Sequence, residues 1–373
     1  MQFFLVDNRR LRSDFEATLD TLAAAGRFNP DAVVRPIDRY QIAERLFAAY
    51  ASGTFEFDRG AIVVGARVEN FVQESDGFVQ IGAATNPLTV RNSHWDIFPS
   101  INAKVDMTDD LVFRASFQRG VARPSFGQVR TGAAISDLSA PGTVTGGNPR
   151  LKPEYTWGSD VALEYYIPGD GLLSATGFYR WVDNVLYDSR SIVGSDIYNS
   201  GGIDRSGYNF ISSFNGSNGK LFGIEFAYLQ QWRFLPQPLD GFGFQGNIAF
   251  IGGSFDTPDR RGVDFPGTSS TVVNASIFYE KFGVSTRLSY QWRSDWVDTL
   301  GGFGTGGTGD EKRAAYGNLD LAVRVSLSDN LSLYFDANNL TNEIYVAFLG
   351  TRDRPTEVEQ IGRRFMGGVR FNF

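Results

Sequence analysis

The sequence predicts an all-β protein, a transmembrane antiparallel β-barrel of which this chain supplies about 13 strands. Three observations predict it. The first is the end of the chain. Ile361, Phe365, Gly367, Val369, Phe371 and Phe373 share one face at period two, and Gly362, Arg364, Met366, Gly368, Arg370 and Asn372 share the other. Period two is the spacing of a strand. Such an apolar edge invites aggregation in water, whereas in an outer-membrane barrel it pairs with a neighbour and its apolar face meets lipid. The second is punctuation: short turns and long polar loops alternate down the chain, as they do on the two sides of a bacterial barrel. The third is hydropathy. Mean hydropathy is −0.20 and no apolar run reaches the roughly 18 residues of a membrane helix, while barrel strands average to near-neutral values.

Residues 1–43 are read as an extracellular loop or strand remnant, with a short amphipathic helix over 11–25 and a polar stretch with two prolines over 29–39. Residues 44–373 form the barrel portion. Strands 44–57 and 61–73 are joined at Asp58-Arg59-Gly60, and a loop runs to about residue 92. Strands 94–105 and 111–119 turn over 107–110, with a loop to Pro153. Strands 155–167 and 172–187 meet at Pro168-Gly169-Asp170-Gly171, then a loop runs to residue 218. Strands 221–234 and 242–255 are joined by 235–241, 271–280 and 282–292 meet at Lys281, and 316–327 and 331–339 turn over 328–330. The strand over 361–373 is last. Most runs reach the about 9–11 residues that a tilted membrane strand needs. An odd count makes the first and last strands run the same way. We therefore expect an open or weakly closed sheet with a free edge at 44–57.

Within strands the alternation separates a greasy face from a wet one. Phe282, Val284, Thr286, Leu288, Tyr290 and Trp292 oppose Gly283, Ser285, Arg287, Ser289 and Gln291. Val273, Ala275, Ile277 and Tyr279 oppose Asn274 and Ser276, and Leu319, Leu321, Val323, Val325 and Leu327 oppose Asp320, Arg324 and Ser326. A sandwich or propeller shows the same alternation, but lacks aromatics gathered near strand ends. Tyr165/Tyr166, Tyr179/Trp181, Trp232/Phe234 and Tyr290/Trp292 are such clusters and fit interfacial girdles.

The net charge of −7 gives no support to nucleic-acid binding. The absence of cysteine excludes disulfides, thiolate metal sites and cysteine nucleophiles. The start of the chain has no basic region and no apolar core of signal-peptide length, so the sequence is expected to begin partway through a longer protein.

Several stretches, in order, resemble TonB-dependent outer-membrane receptors: Tyr40–Tyr50 with Gly65-Ala-Arg-Val-Glu69, Arg119-Gly-Val-Ala-Arg-Pro124, Gly147-Asn-Pro-Arg-Leu-Lys-Pro-Glu154 leading to Leu163-Glu-Tyr-Tyr166, Asn338-Asn-Leu-Thr-Asn342, and Gly362-Arg-Arg-Phe365 to Phe373. The resemblance covers about residues 40–373. It implies a barrel of about 22 strands around an N-terminal plug, importing a scarce nutrient of the siderophore, cobalamin or carbohydrate class with energy delivered by TonB with ExbB and ExbD. It also implies a Gram-negative outer membrane with its lipid and lipopolysaccharide, and a last strand (Phe365, Val369, Phe371, Phe373) read by the barrel-assembly machinery. The chain departs from that pattern in showing no TonB box and no plug domain.

Sites of chemistry are few. The run Gly301–Gly309 contains two GxGxxG matches, but it lies in a loop before a strand, where a dinucleotide site needs a following helix; a flexible loop is expected. His94, the single histidine, is expected at a strand start beside Trp95 in an interfacial structural role. Asp109/Asp110 suit a tight turn. Arg119, Arg123, Arg130 and Arg150 flank the longest loop and are the candidates for meeting an anionic ligand or lipopolysaccharide phosphates. The two X-Pro steps of the Gly147–Glu154 stretch restrict it to extended or turn geometry, which favours scaffolding over ligand contact. No catalytic residue, metal site or cofactor is expected. The leading reading is a nutrient receptor and not an enzyme; a plugless pore or adhesin, and a soluble β-rich binding protein, are the alternatives.

Overall fold

The computed structural model describes residues 8–27, 39–81, 84–138, 140–196, 198–199, 201–302 and 308–372. Thirteen strands form one sheet in chain order. They are β1 (Gln41–Phe57), β2 (Gly60–Ile81), β3 (Ala84–Asp106), β4 (Leu111–Ala122), β5 (Glu154–Ile167), β6 (Gly171–Asp183), β7 (Ser217–Gln231), β8 (Phe242–Asp256), β9 (Thr271–Lys281), β10 (Val284–Arg293), β11 (Tyr316–Ser328), β12 (Leu331–Asn338) and β13 (Arg364–Phe371). Each predicted strand is present and each neighbouring pair is antiparallel. Among the described residues β1 pairs only with β2 and β13 only with β12, so the sheet has a free edge at each end. The helix α1 (Asn8–Ala24) takes the predicted amphipathic stretch. Residues 1–7, 28–38 and Phe373 lie outside the described residues.

Register explains why the alternation was readable. Phe226, Ile248, Val273 and Trp292 lie side by side across four strands on the outer face. Gln245, Ser276, Ser289 and Asp320 do the same on the inner face. Ion pairs join inner-face neighbours: Arg180 to Asp160 at 2.5 Å, Arg114 to Glu164 at 3.0 Å and Arg324 to Asp336 at 2.8 Å. The outer face stands bare, with Trp95 66% exposed and Phe47 67% exposed. Bare aromatic side chains of that size are costly in water and are at home in lipid. They gather at two levels. Phe117 stacks on Trp157 at 5.3 Å and Tyr179 meets Trp181 at 4.4 Å towards the loops. Phe242 meets Tyr279 at 4.9 Å near the short turns.

Local details correct the sequence reading. Phe282 is not the first residue of a strand. With Gly283 it forms the turn between β9 and β10, at φ of 55° and 74°, because a two-residue hairpin whose twist matches its strands needs positive φ at both positions. Tyr165 and Tyr166 point to opposite faces, as adjacent strand residues must, so only Tyr165 can join the outer girdle. Trp232 and Phe234 lie beyond β7, in the turn. The loop expected between the first two hairpins is itself a hairpin, with Asp76 opposite Thr89 and Ile81 opposite Ala84.

The other long loops are not structureless either. Those after β4 and β6 combine into a four-stranded sheet of Ala133–Ser136, Thr143–Gly146, Asn209–Asn215 and Leu186–Ile192. Those after β10 and β12 form another, of Trp296–Thr299, Glu311–Arg313, Tyr345–Leu349 and Pro355–Glu359. A bridge between Ser189 and Leu300 joins the two. The residue Tyr187, expected at the end of β6, belongs to this layer. The main apolar core sits where this layer meets the loop ends of β6 and β8: Val182 and Phe255 of those strands are buried together with Val185, Tyr187, Val263, Val297 and Leu300, with Phe214 and Phe265 packed against them.

Candidate functional site

The candidate site is built from the loop layer and the inner face beneath it. The stretch Gly147–Glu154 holds the two together. Asn148 donates its backbone N–H to Gln128 O at 2.6 Å and its amide to Ser213 O at 3.3 Å. The Asn92 amide reaches Pro149 O at 2.9 Å, and the Asn184 amide reaches Pro153 O at 3.2 Å. Glu154 accepts the Leu186 N–H at 2.9 Å. Gly147 passes so close to Arg130 that a Cβ there would lie 2.3 Å from its carbonyl oxygen. One extended peptide thus ties three loops to the top of the sheet, the scaffold role its prolines indicated.

A cavity of about 470 Å³ opens between this scaffold and the inner face, lined among others by Gln128, Arg180, Tyr187, Asp188 and Asp298. Burial pushes the Tyr187 phenol up to about 12. A second cavity of about 500 Å³ lies between the two loop sheets, beside Arg190, Asn209, Gly302 and Glu311. Gly301 and Gly302 are not flexible filler. A Cβ on Gly302 would lie 1.9 Å from Arg190 O, and the Gly301 N–H donates to Asp310 at 2.7 Å. Residues 303–307 of the glycine run lie outside the described residues. Asp310 also takes both arms of Arg260, at 2.8 and 3.0 Å, which pins two loops together and raises the Arg260 pKa.

Of the four candidate arginines the structure brings two together. Above Ser100 the ladder from β3 to β4 stops, although β3 runs on to Ala84. The next residue along β3 is Pro99, which has no N–H to offer a neighbour. Side chains fill the opening. Arg119 donates to Ile97 O at 2.9 Å, approaches Asp96 to 3.9 Å and lies 4.6 Å over the Tyr155 ring. Tyr155 donates to Asp96 at 3.0 Å. Arg123 pairs with Glu69 and lies 4.5 Å over Phe71, while Arg67 holds the same carboxylate at 2.6 Å. His94 sits within this group, 5.3 Å from Phe71. It lies well inside β3 rather than at a strand start, and faces away from Trp95. Arg130 donates to Thr145 O in the loop layer, and Arg150 is exposed on the scaffold stretch. Alternation placed Arg119 on a strand but could not show where its ladder ends; Pro99 inside a long strand was the available signal.

On β13, Phe365, Val369 and Phe371 all lie on the outer face, and Phe365 stacks on Phe335 at 6.4 Å.

A family model described as TonB dependent receptor-like, beta-barrel, matches residues 4–340. No curated relative matches the chain in sequence. Among solved structures, the chain is similar to the ferric-catecholate import receptor Fiu from E. coli K12, at a TM-score of 0.62 and 16% identity over 90% of this chain and 45% of that one. It is similar to the ferric yersiniabactin uptake receptor FyuA from Yersinia pestis, at 0.63 and 16% over 90% and 46%. It is also similar to a ferric enterobactin receptor mutant from Pseudomonas aeruginosa bound to enterobactin, at 0.56 and 14% over 89% and 55%. The chain therefore spans about half the length of the solved receptors it resembles, and these likenesses concern the fold. With a bare apolar outer face, a charged inner face, a folded loop layer and a family match over most of its length, the chain belongs to the TonB-dependent receptor β-barrel family.

Proposed function

We propose that the chain is the C-terminal barrel portion of a receptor in a Gram-negative outer membrane that imports a scarce nutrient. The observation that carries this reading is the two-faced sheet capped at one end by a folded loop layer with cavities beneath it, in a chain of this family. A receptor needs a lipid-facing wall, a wet lumen and an outward surface that selects a ligand. Energy comes from TonB with ExbB and ExbD, acting on the complete receptor. Fiu is a ferric-catecholate import receptor, FyuA a ferric yersiniabactin uptake receptor and the third a ferric enterobactin receptor, which makes a siderophore the first ligand class to try, ahead of cobalamin and carbohydrate. Arg130 and Arg150 are the loop-layer cations offered to such a ligand. The role is transport, not catalysis. The strand β13, with Phe365, Val369 and Phe371 on its outer face, serves as the assembly signal.

The test is uptake in cells carrying the complete gene or its deletion, with iron-55 siderophores, labelled cobalamin and labelled maltodextrin each supplied in turn. Gene-dependent uptake of one of them, abolished by a proton uncoupler, is expected. Uptake that survives the uncoupler points to a passive pore. A chain that stays monodisperse in plain buffer points to a soluble binding protein.

A further inference from the structure

The cavity of about 470 Å³ beneath the scaffold stretch is acidic. Its charged lining is Glu154, Asp188 and Asp298 against Arg180 alone, and Arg180 is held by Asp160 at 2.5 Å. Arg313, the partner of Asp298 at 3.3 Å, also pairs with Glu357 at 2.5 Å. Arg130 lines a smaller cavity that shares Gln128 and Asp188 with this one. Counting it, Arg130, Arg180 and Arg313 still face five carboxylates, the three of the lining with Asp160 and Glu357. Around Tyr187 the balance leans the same way, with Asp259 and Asp310 against Arg260. Each lining carboxylate also keeps one oxygen without a hydrogen-bond partner among the described residues. Asp188 accepts from Ser213 and Gln128 on the same oxygen, Glu154 from the Leu186 N–H on one, and Asp298 from Arg313 on one. Tyr187, in the same lining and 4% exposed, has a hydroxyl with no partner among the described residues.

Such a lining suits a guest that brings positive charge and hydrogen-bond donors. Among the described residues no group of three acidic or histidine side chains can hold a bare metal ion, so the charge belongs to a larger ligand. Leu221 and Phe265 share the lining and give a hydrocarbon segment a surface to lie on. Like charges brought into the same crevice, away from bulk water, repel. We propose that this cavity selects among siderophores by charge. It takes a ferric complex whose hydrocarbon arm ends in an ammonium, the chemistry of linear trihydroxamates, and turns away the triply negative tricatecholates.

The inference rests on the receptor reading, and the experiment separates the two. The receptor is purified in detergent from the complete gene and titrated calorimetrically with ferrioxamine B, which is singly positive. The same is done with its N-acetyl form, which is neutral, and with ferric enterobactin, which is triply negative. Ferrioxamine B is expected to bind about tenfold more tightly than its acetylated form, and ferric enterobactin more weakly than either. The preference should shrink at high salt and vanish in the Asp188→Asn/Asp298→Asn double variant, which keeps the shape and removes two charges. Arg287→Gln, elsewhere on the inner face, should leave it unchanged. Equal binding of ferrioxamine B and its acetylated form overturns the proposal, as does a wild-type preference in the double variant. If the double variant does not melt as wild type does, the wild-type comparison decides alone. Tighter binding of ferric enterobactin overturns the proposal and leaves the receptor reading standing. Binding of none of the complexes overturns both the proposal and the siderophore reading.

Discussion

The side chain of Asn215 and the backbone of Lys152 exchange two hydrogen bonds, Lys152 N–H to Asn215 Oδ1 and Asn215 Nδ2 to Lys152 O, each 2.9 Å. The amide thus stands in for a strand neighbour that the peptide lacks, and its second N–H reaches Asn184 O, also at 2.9 Å. Asn215→Ala should cost about 1–3 kcal/mol in the loop layer, since it leaves backbone groups unpaired. Amide exchange should rise over 184–192 and 209–215 and stay slow in β5 and β6. Unchanged exchange in the loop layer would show that the pairing is incidental.

Tyr187 gives a sign that can be worked out. Its hydroxyl is buried without a hydrogen-bond partner among the described residues, and burial raises its pKa to about 12. The folded state therefore holds the proton more tightly than the unfolded chain. That contribution is fully present below the ordinary tyrosine value of about 10 and is lost as pH rises towards 12. Tyr187→Phe removes an unpaired polar group and leaves the ring contacts with Phe214 and Phe255 in place. We expect the variant to melt at the same temperature as wild type or higher at pH 8, and to lose less stability by pH 11. A lower melting temperature at pH 8 would mean the hydroxyl has a partner after all.

Arg260 and Asp310 form a two-armed pair on largely buried side chains. Removing one member of such a pair strands the other, at a cost of about 3–5 kcal/mol. Asp310→Ala also takes the acceptor from the Gly301 N–H, so it should be worse than Arg260→Ala. The double variant should cost less than the sum of the two. A double-mutant cycle read by thermal melting in detergent checks this, and additive losses would rule the coupling out.

The outer face of β13 carries the assembly prediction. Phe365→Ala with Phe371→Ala, or deletion of Phe373, made in the complete gene should lower the amount of receptor in outer-membrane fractions sharply while transcript stays level. Wild-type amounts by immunoblot would refute the role.

The barrel sheet was legible because each strand carries its apolar residues on one side, as in Leu319–Leu327. That signal is imposed by lipid and ends where lipid ends. Glu74–Arg91 continues β2 and β3 with polar residues on both faces, so period two says nothing there. The loop sheets were hidden for another reason. Thr143–Gly146 is four residues long and pairs with Asn209–Ile211, far along the chain; short polar strands paired at a distance leave no local pattern. Candidate arginines could be placed near a loop, but the opening that gathers Arg119 with Arg123 depends on where one ladder stops.

The core around Phe255 and Leu300 has a further consequence. It lies where the loop layer packs onto the ends of β6 and β8, whereas the rest of the sheet hides its apolar face from water only through lipid. The protein therefore answers to two solvents. Urea acts on the layer that excludes water by its own packing, and detergent or lipid governs the wall. Denaturation in a bilayer should run in two steps, with the loop layer unfolding while the strands beneath it stay embedded.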